Sequence, residues 1–94
     1  MQSTEEIDKE LFKLLNSIVK EVFKNNTAKV QSFEFTTDSE GDPVIRIEVI
    51  VKRTFKPQKA NALTYATREK LFELGNNSFP LFSYTLADNS LSAQ

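Results

Sequence analysis

The sequence predicts an α+β domain in which two helices cover one face of a small, mostly antiparallel sheet of three strands. Two segments carry apolar residues at spacings of three and four, which is typical of amphipathic helices. Three other segments alternate apolar and polar residues, which is typical of strands with one buried face. Their order along the chain is α-β-β-α-β. Elements with one apolar face each pack best as two layers, so we expect a two-layer sandwich.

The first helix is predicted within "STEEIDKELFKLLNSIVKEVFKNN". Ser3 and Glu6 fit a capping box, in which each side chain accepts a hydrogen bond from a free backbone amide at the start of the helix. The apolar residues of the segment cover about half of the helix circumference at ~100° per residue. Four lysines lie on the opposite side, and we interpret that side, together with Asn16, as a solvated face. The lysines are Lys9, Lys13, Lys20 and Lys24.

Three segments predict strands. In "AKVQSFEFTT", Phe33 and Phe35 share one face, whereas Val30 has the other parity, so a bulge or a change of face is expected there. "VIRIEVIV" alternates most regularly and predicts the best-defined strand. Its predicted buried residues are Ile45, Ile47, Val49 and Val51. "FPLFSYTLA" predicts the third strand, with Phe82, Tyr84 and Leu86 on one face.

The second helix is predicted in "PQKANALTYATREKLFELG". Pro57 suits its first turn, where the missing amide hydrogen costs nothing. Gly75 suits its end, because glycine readily adopts the left-handed backbone conformation. The predicted core face consists of Ala60, Leu63, Thr67, Leu71 and Leu74.

The segment "DSEGDP" between the first two strands predicts a hairpin turn. Gly41 can supply a positive φ, and aspartates bond to their own backbone in such turns. The alternatives are an adventitious cation site on Asp38, Glu40 and Asp42, and a phosphate-binding turn. A calcium loop needs about twelve residues and a bidentate glutamate at its end, which this segment lacks. One glycine makes no cradle of amides for a phosphate, and three carboxylates would repel it.

Composition limits the possible chemistry. The 94 residues predict a single domain, residues 1–87, followed by a frayed tail, residues 88–94. The chain has no cysteine and no histidine, so it lacks disulfides, thiolates and the commonest general base and metal ligand. We therefore expect no metal and no cofactor. The acidic N-terminus and the absence of an apolar run of about 18 residues predict a cytoplasmic protein without a membrane span.

We also expect no catalysis. Glu34 and Glu48, on neighbouring strands, are the best carboxylate pair, but nothing in their surroundings predicts desolvation. Ser32 and Ser83 have no histidine to activate them. An enzyme would therefore require Glu34 and Glu48 to meet in a common, water-poor cleft.

Two aromatic residues on the second helix predict a surface for protein contacts. Tyr65 and Phe72 lie seven residues apart, with Arg68 between them, and point away from Leu63. A helix whose core face is complete has no need of two further aromatic rings, so they either meet another chain or are covered by the first helix or the tail. The first helix is also unusually broad in its apolar face, which adds Phe12 and Val19 to the predicted interface. We expect a homodimer or a protein partner.

The segment "VKRTFKPQK" offers a weaker alternative, a contact with nucleic acid. Lys52, Arg53, Lys56 and Lys59 surround Phe55, and cations beside an aromatic ring can bind single strands. The chain carries 12 basic and 13 acidic residues, so its net charge of −1 adds no general attraction to phosphates. Nucleic acid is therefore the less favoured partner.

The stretches "DSEGDPVIRIEVIV" and "LTYATREKLFELGNNSFPLFSYTLAD" resemble a group of small uncharacterised prokaryotic proteins. That group shares an Asp-x-x-Gly-Asp-Pro hairpin, a helix ending near glycine and a strand containing Phe-Pro. Its members are encoded beside small helical proteins of the HEPN class. The resemblance implies a role as the partner or antidote in a toxin–antitoxin-like pair, and it carries over no catalytic residue.

The element order also resembles that of type II KH domains, which bind nucleic acid. Those domains clamp the nucleic-acid backbone with a Gly-x-x-Gly loop. This chain has two glycines, Gly41 and Gly75, and no such loop.

Overall fold

The computed structural model describes residues 4–24 and 27–87, with side chains described from residue 9 onward. The predicted α-β-β-α-β order and the α+β architecture of two helices and three strands are confirmed. The elements are α1 (Thr4–Val22), β1 (Ala28–Thr37), β2 (Pro43–Val51), α2 (Pro57–Glu73) and β3 (Phe79–Leu86). The predicted capping box of Ser3 and Glu6 and the predicted tail fall outside the described residues and side chains. Neither of the two helices, as far as they are described, is long and apolar enough to cross a membrane.

The sheet has the order β1-β2-β3 and is mixed. β1 pairs with β2 antiparallel, and β2 pairs with β3 parallel. β2 is therefore the central strand, and its side chains facing the helices are the most deeply buried in the sheet. Ile45, Ile47 and Val49 are fully buried, as their alternation predicted.

A β-bulge in β1 places Val30 in the core. The register shifts between Val30 and Ser32, so that Val30 pairs with Val49 and Phe33 pairs with Ile47. Paired residues share a face, so Val30 and Phe33 both point toward the helices despite their different parity. The predicted irregularity is confirmed.

Asn16 of α1 contacts this bulge, which corrects its assignment to a solvated face. Its side-chain oxygen Oδ1 accepts a hydrogen bond from the backbone N–H of Val30 over 3.1 Å. The side chain is half-buried. It lies at the border of the apolar face of α1, where rotation by ~100° per residue brings it toward β1.

The core face of α2 is shorter than predicted. Leu63, Thr67 and Leu71 are buried, but Leu74 is 62% exposed, so its predicted burial is wrong. The helix ends before that position: the N–H of Gly75 donates to Phe72 O over 2.9 Å, and the N–H of Asn76 donates to Leu71 O over 2.9 Å. This is a Schellman motif, in which the chain turns away from the core at the end of the helix.

The "DSEGDP" segment forms the predicted hairpin turn. Asp38 Oδ1 accepts hydrogen bonds from the amides of Glu40 and Asp42, each over 2.9 Å. Gly41 has a φ of 86°, as the turn requires. One of the two carboxylate oxygens of Asp38 is therefore bonded to the turn's own backbone.

Candidate functional site

The two most exposed aromatic side chains, Tyr65 and Phe72 of α2, form a surface with Arg68 of α2 and Phe79 of β3 that we call the aromatic face. Tyr65 is 68% exposed and Phe72 is 75% exposed. Residues spaced three and four apart lie on one side of a helix, and this side faces away from the buried Leu63 and Leu71.

Arg68 joins the helix to the sheet across this surface. Its guanidinium carbon lies 5.2 Å from the centroid of the Phe79 ring, within the range of a cation–π contact. Phe79 and Leu81 are both partly exposed and share a face of β3. The aromatic face therefore extends from the outer side of α2 to the start of an edge strand.

Two further residues predicted for this interface lie elsewhere. Val19 is 1% exposed and belongs to the core between α1 and the sheet, so its place in a partner surface is wrong. Phe12 is half-buried and lines a shallow depression with Phe33 and Phe35 of β1. β1 and β3 are opposite edges of the sheet, so Phe12 and the aromatic face lie on different sides of the molecule.

A cleft of about 840 Å³ opens where α1 ends and α2 begins, and we call it the basic cleft. Four cationic side chains and two phenylalanine rings line it. These residues are Lys24, Arg53, Lys56 and Lys59, with Phe23 and Phe55. Three of the four residues predicted for nucleic-acid contact therefore lie together, and the fourth, Lys52, lines a neighbouring cleft.

The neighbouring cleft has a volume of about 410 Å³ and is also basic. Lys20 and Lys29 line it together with Lys52, and Thr27 lines both clefts. No pattern within a single element groups these lysines, although the register of β1 and β2 could have brought Lys29 and Lys52 together. Counting back from the hairpin pairs Ala28 with Val51, which brings the start of β1 beside the end of β2.

Aromatic rings support the inner wall of the basic cleft. The ring centroid of Phe55 lies 5.0 Å from that of Phe23 and 4.7 Å from that of Tyr84, in edge-on arrangements that aromatic pairs favour. Burial raises the pKa of Tyr84 to about 12. Lys59 is held at the rim, because its ammonium donates a hydrogen bond to Val22 O over 2.9 Å.

The carboxylates weighed for catalysis lie on the outer face of the sheet. Glu34 and Glu48 line the same depression, but both side chains are exposed to solvent. Glu34 lies opposite Arg46, and Glu48 Oε2 accepts a hydrogen bond from Ser32 Oγ over 3.2 Å. This arrangement is a solvated set of cross-strand polar contacts. Within residues 4–24 and 27–87, no group of three or more acidic side chains is placed to hold a metal ion.

Comparison with known proteins finds little similarity. No family model matches the chain, and no curated protein sequence matches it. Among solved structures, it is similar to one described as a "putative redox protein" from Lactobacillus casei ATCC 334, at 16% identity and a TM-score of 0.47. The match covers 94% of this chain and 68% of the other. A likeness this distant carries no argument about activity, so the resemblance to the prokaryotic group with the Asp-x-x-Gly-Asp-Pro hairpin stays a prediction.

Proposed function

We propose that this protein is a non-enzymatic interaction domain that acts as a dimer through its aromatic face. The observation that carries the proposal is the exposure of Tyr65 and Phe72, at 68% and 75%, on either side of Arg68. Tyrosine, phenylalanine and arginine are enriched in protein interfaces, and aromatic and arginine side chains supply much of the binding energy there.

The gain from covering these rings is substantial. Burial of apolar surface contributes roughly 25 cal/mol per Å², and an aromatic side chain buries about 150–250 Å². In a twofold-symmetric dimer each residue occurs twice, so the interface would cover four aromatic rings, two from each chain. Losses of motion and desolvation of polar groups on association offset much of this gain, so the affinity of the dimer depends on how closely the rings pack at the interface.

The edge strand beside the aromatic face favours side-chain docking over the addition of a strand. β3 is the last strand of the sheet on that side, so its outer edge is unpaired within the described residues. Pro80 lies near its start and has no amide hydrogen to donate. Proline is one of the devices that protect exposed edges from pairing with another chain.

The non-enzymatic part of the proposal rests on composition. A chain without histidine and cysteine has neither an imidazole base nor a thiolate nucleophile. The carboxylate pair weighed for catalysis, Glu34 and Glu48, is exposed to solvent on the outer face of the sheet.

Sedimentation velocity tests the dimer. We expect the wild type to sediment as a dimer at micromolar concentration and Phe72→Ser to sediment as a monomer. Phe35→Ser is the matched control, because it removes a 47%-exposed phenylalanine from the opposite edge of the sheet. A wild type that stays monomeric at about 100 µM would overturn the dimer.

A finer proposal concerns a different partner, which would take the place of the second copy of this chain on the aromatic face. The resemblance of the hairpin and the Phe-Pro strand supports a small helical protein of the HEPN class, encoded beside this chain, as that partner. Co-expression of such a pair should yield a complex that Tyr65→Ser with Phe72→Ser abolishes and Phe35→Ser preserves. A complex that is indifferent to all three substitutions would remove the aromatic face from this role.

A further inference from the structure

We propose that the basic cleft binds single-stranded nucleic acid. This site is separate from the aromatic face: it lies at the start of α2 and the end of β3, whereas Phe72 and Phe79 lie at the end of α2 and the start of β3. The inference is therefore independent of the proposed dimer.

Positive charge is concentrated at this end of the molecule. Four cationic residues line the basic cleft and three line its neighbour, so seven of the 12 basic residues of the chain gather around two clefts that share Thr27. No carboxylate of the described residues lines either cleft. The described acidic residue nearest in sequence to the residues of the two clefts is Glu21, which is exposed on the last turn of α1. The net charge of −1 thus conceals a strong local field.

The start of α2 adds to this field. Its N-cap, Lys56, makes no side-chain cap bond, and the first turn contains no acidic residue. Pro57 has no amide hydrogen and the N–H of Lys59 donates to Lys56 O, but no acidic residue of the first turn offsets the partial positive charge at the start of the helix, which lies among the cations of the cleft.

The walls of the cleft favour a ligand that is both anionic and aromatic. Phe55 is half-buried and lies between Arg53 and Lys56 in the sequence, while Phe23 packs edge-on against it. A single strand offers bases that can stack on such a ring and phosphates that the flanking cations can bind. An acidic peptide would use the cations and leave the apolar wall uncovered. A duplex keeps its bases stacked inside and cannot enter a cleft of this kind.

Fluorescence anisotropy with a labelled single-stranded RNA of mixed sequence tests the proposal. If four phosphates are neutralised, the logarithm of affinity should fall with the logarithm of salt with a slope of about −2.8, which is about 50-fold between 50 and 200 mM salt. Arg53→Ala with Lys56→Ala should reduce that slope by about half. Lys59 is left intact, because its bond to Val22 O also holds α1 and α2 together.

The matched control is Lys9→Ala with Lys13→Ala, which removes the same charge from exposed positions on the first half of α1. The control should bind RNA as the wild type does, and circular dichroism confirms that both double variants fold. Absence of binding at about 50 mM salt, equal losses in both double variants, or displacement of the RNA by poly-glutamate of equal charge would each overturn the proposal. So would equal affinity for a duplex of the same sequence. Phe72→Ser, which tests the dimer, should leave RNA binding unchanged if the two sites are independent.

Discussion

At the residue scale, Asn16 illustrates how a single side chain joins two elements. It accepts a hydrogen bond from Val30 N beside the β-bulge of β1. A half-buried donor left without a partner costs about 1–3 kcal/mol, far more than the few tenths of a kcal/mol typical of an exposed substitution.

Replacement of Asn16 by alanine should therefore destabilise the protein. The lost partner outweighs the better helix propensity of alanine, which recovers about 0.5 kcal/mol, so we expect a net loss of about 1 kcal/mol in the free energy of unfolding. Urea denaturation measures it. Ser17→Ala, on the exposed side of the same turn, is the control and should change stability by less than about 0.5 kcal/mol. Equal effects would mean that the bond contributes nothing.

Tyr84 is a second residue whose environment has a measurable consequence. Its hydroxyl is buried and has no hydrogen-bond partner among the described residues, and burial raises its pKa from 10.0 to about 12. The folded state thus binds the proton more tightly than the unfolded state. The stability that this provides is fully present below pH 10 and is lost as the pH rises toward 12.

Tyr84→Phe should remove this part of the pH dependence. Between pH 10 and pH 12, the free energy of unfolding of the wild type should fall more steeply than that of the variant, because the variant lacks the phenol whose pKa differs between the folded and unfolded states. At pH 7 the variant should be as stable as the wild type or more stable, since it no longer buries an unpaired hydroxyl. Parallel stability curves in urea denaturation across this pH range would contradict the assignment.

At the element scale, the end of α2 determines which residues stay in the core. Gly75 has a φ of 79°, and a methyl group added there would meet no atom within 4 Å. Substitution at this position therefore tests backbone conformation without steric interference. The Schellman motif around Gly75 also explains why Leu74 is exposed although its spacing matches the core face.

Gly75→Ala should lower the free energy of unfolding by about 1–2 kcal/mol, the cost of the left-handed conformation for a residue with a β-carbon. Gly75→Asn should cost less, because asparagine tolerates that conformation better. Thermal denaturation of the two variants measures the difference. Identical melting temperatures for the two would show that the motif does not control the end of the helix.

At the scale of the whole molecule, charge is distributed unevenly. Seven cations surround the two clefts, whereas the hairpin at Asp38, Glu40 and Asp42 carries three acids. Among the described side chains the ion pairing consists of one exposed contact of 3.6 Å between Lys70 and Glu73. Few ion pairs therefore offset the repulsion between the cations around the clefts. Such repulsion lowers the free energy of unfolding, which is a common cost at functional sites.

Salt should consequently stabilise this protein. Raising the ionic strength from about 0.1 M to 1 M shortens the Debye length from about 10 Å to 3 Å and screens repulsion at the clefts. We expect the melting temperature to rise, and to rise less in Arg53→Ala with Lys56→Ala than in Lys9→Ala with Lys13→Ala. A melting temperature that falls with salt in all three proteins would show that repulsion at the clefts is unimportant.

The sequence by itself determined the fold class, the five elements, the hairpin turn and the side of α2 on which Tyr65 and Phe72 lie. Each of these follows from local spacing, because periodicity and turn residues fix which side of an element is apolar and where it ends. The sequence also predicted an irregularity in β1, because the parity of Val30 differs from that of Phe33 and Phe35.

Only the tertiary structure decided which residues meet. Lys24 and Lys56 come from two different segments, and the packing of α1 against α2 and the sheet brings them to one cleft. The same packing buries Val19, separates Phe12 from the aromatic face and turns Asn16 toward the bulge. Such contacts join residues distant in sequence, and no local pattern encodes them, because they depend on how whole elements pack against one another.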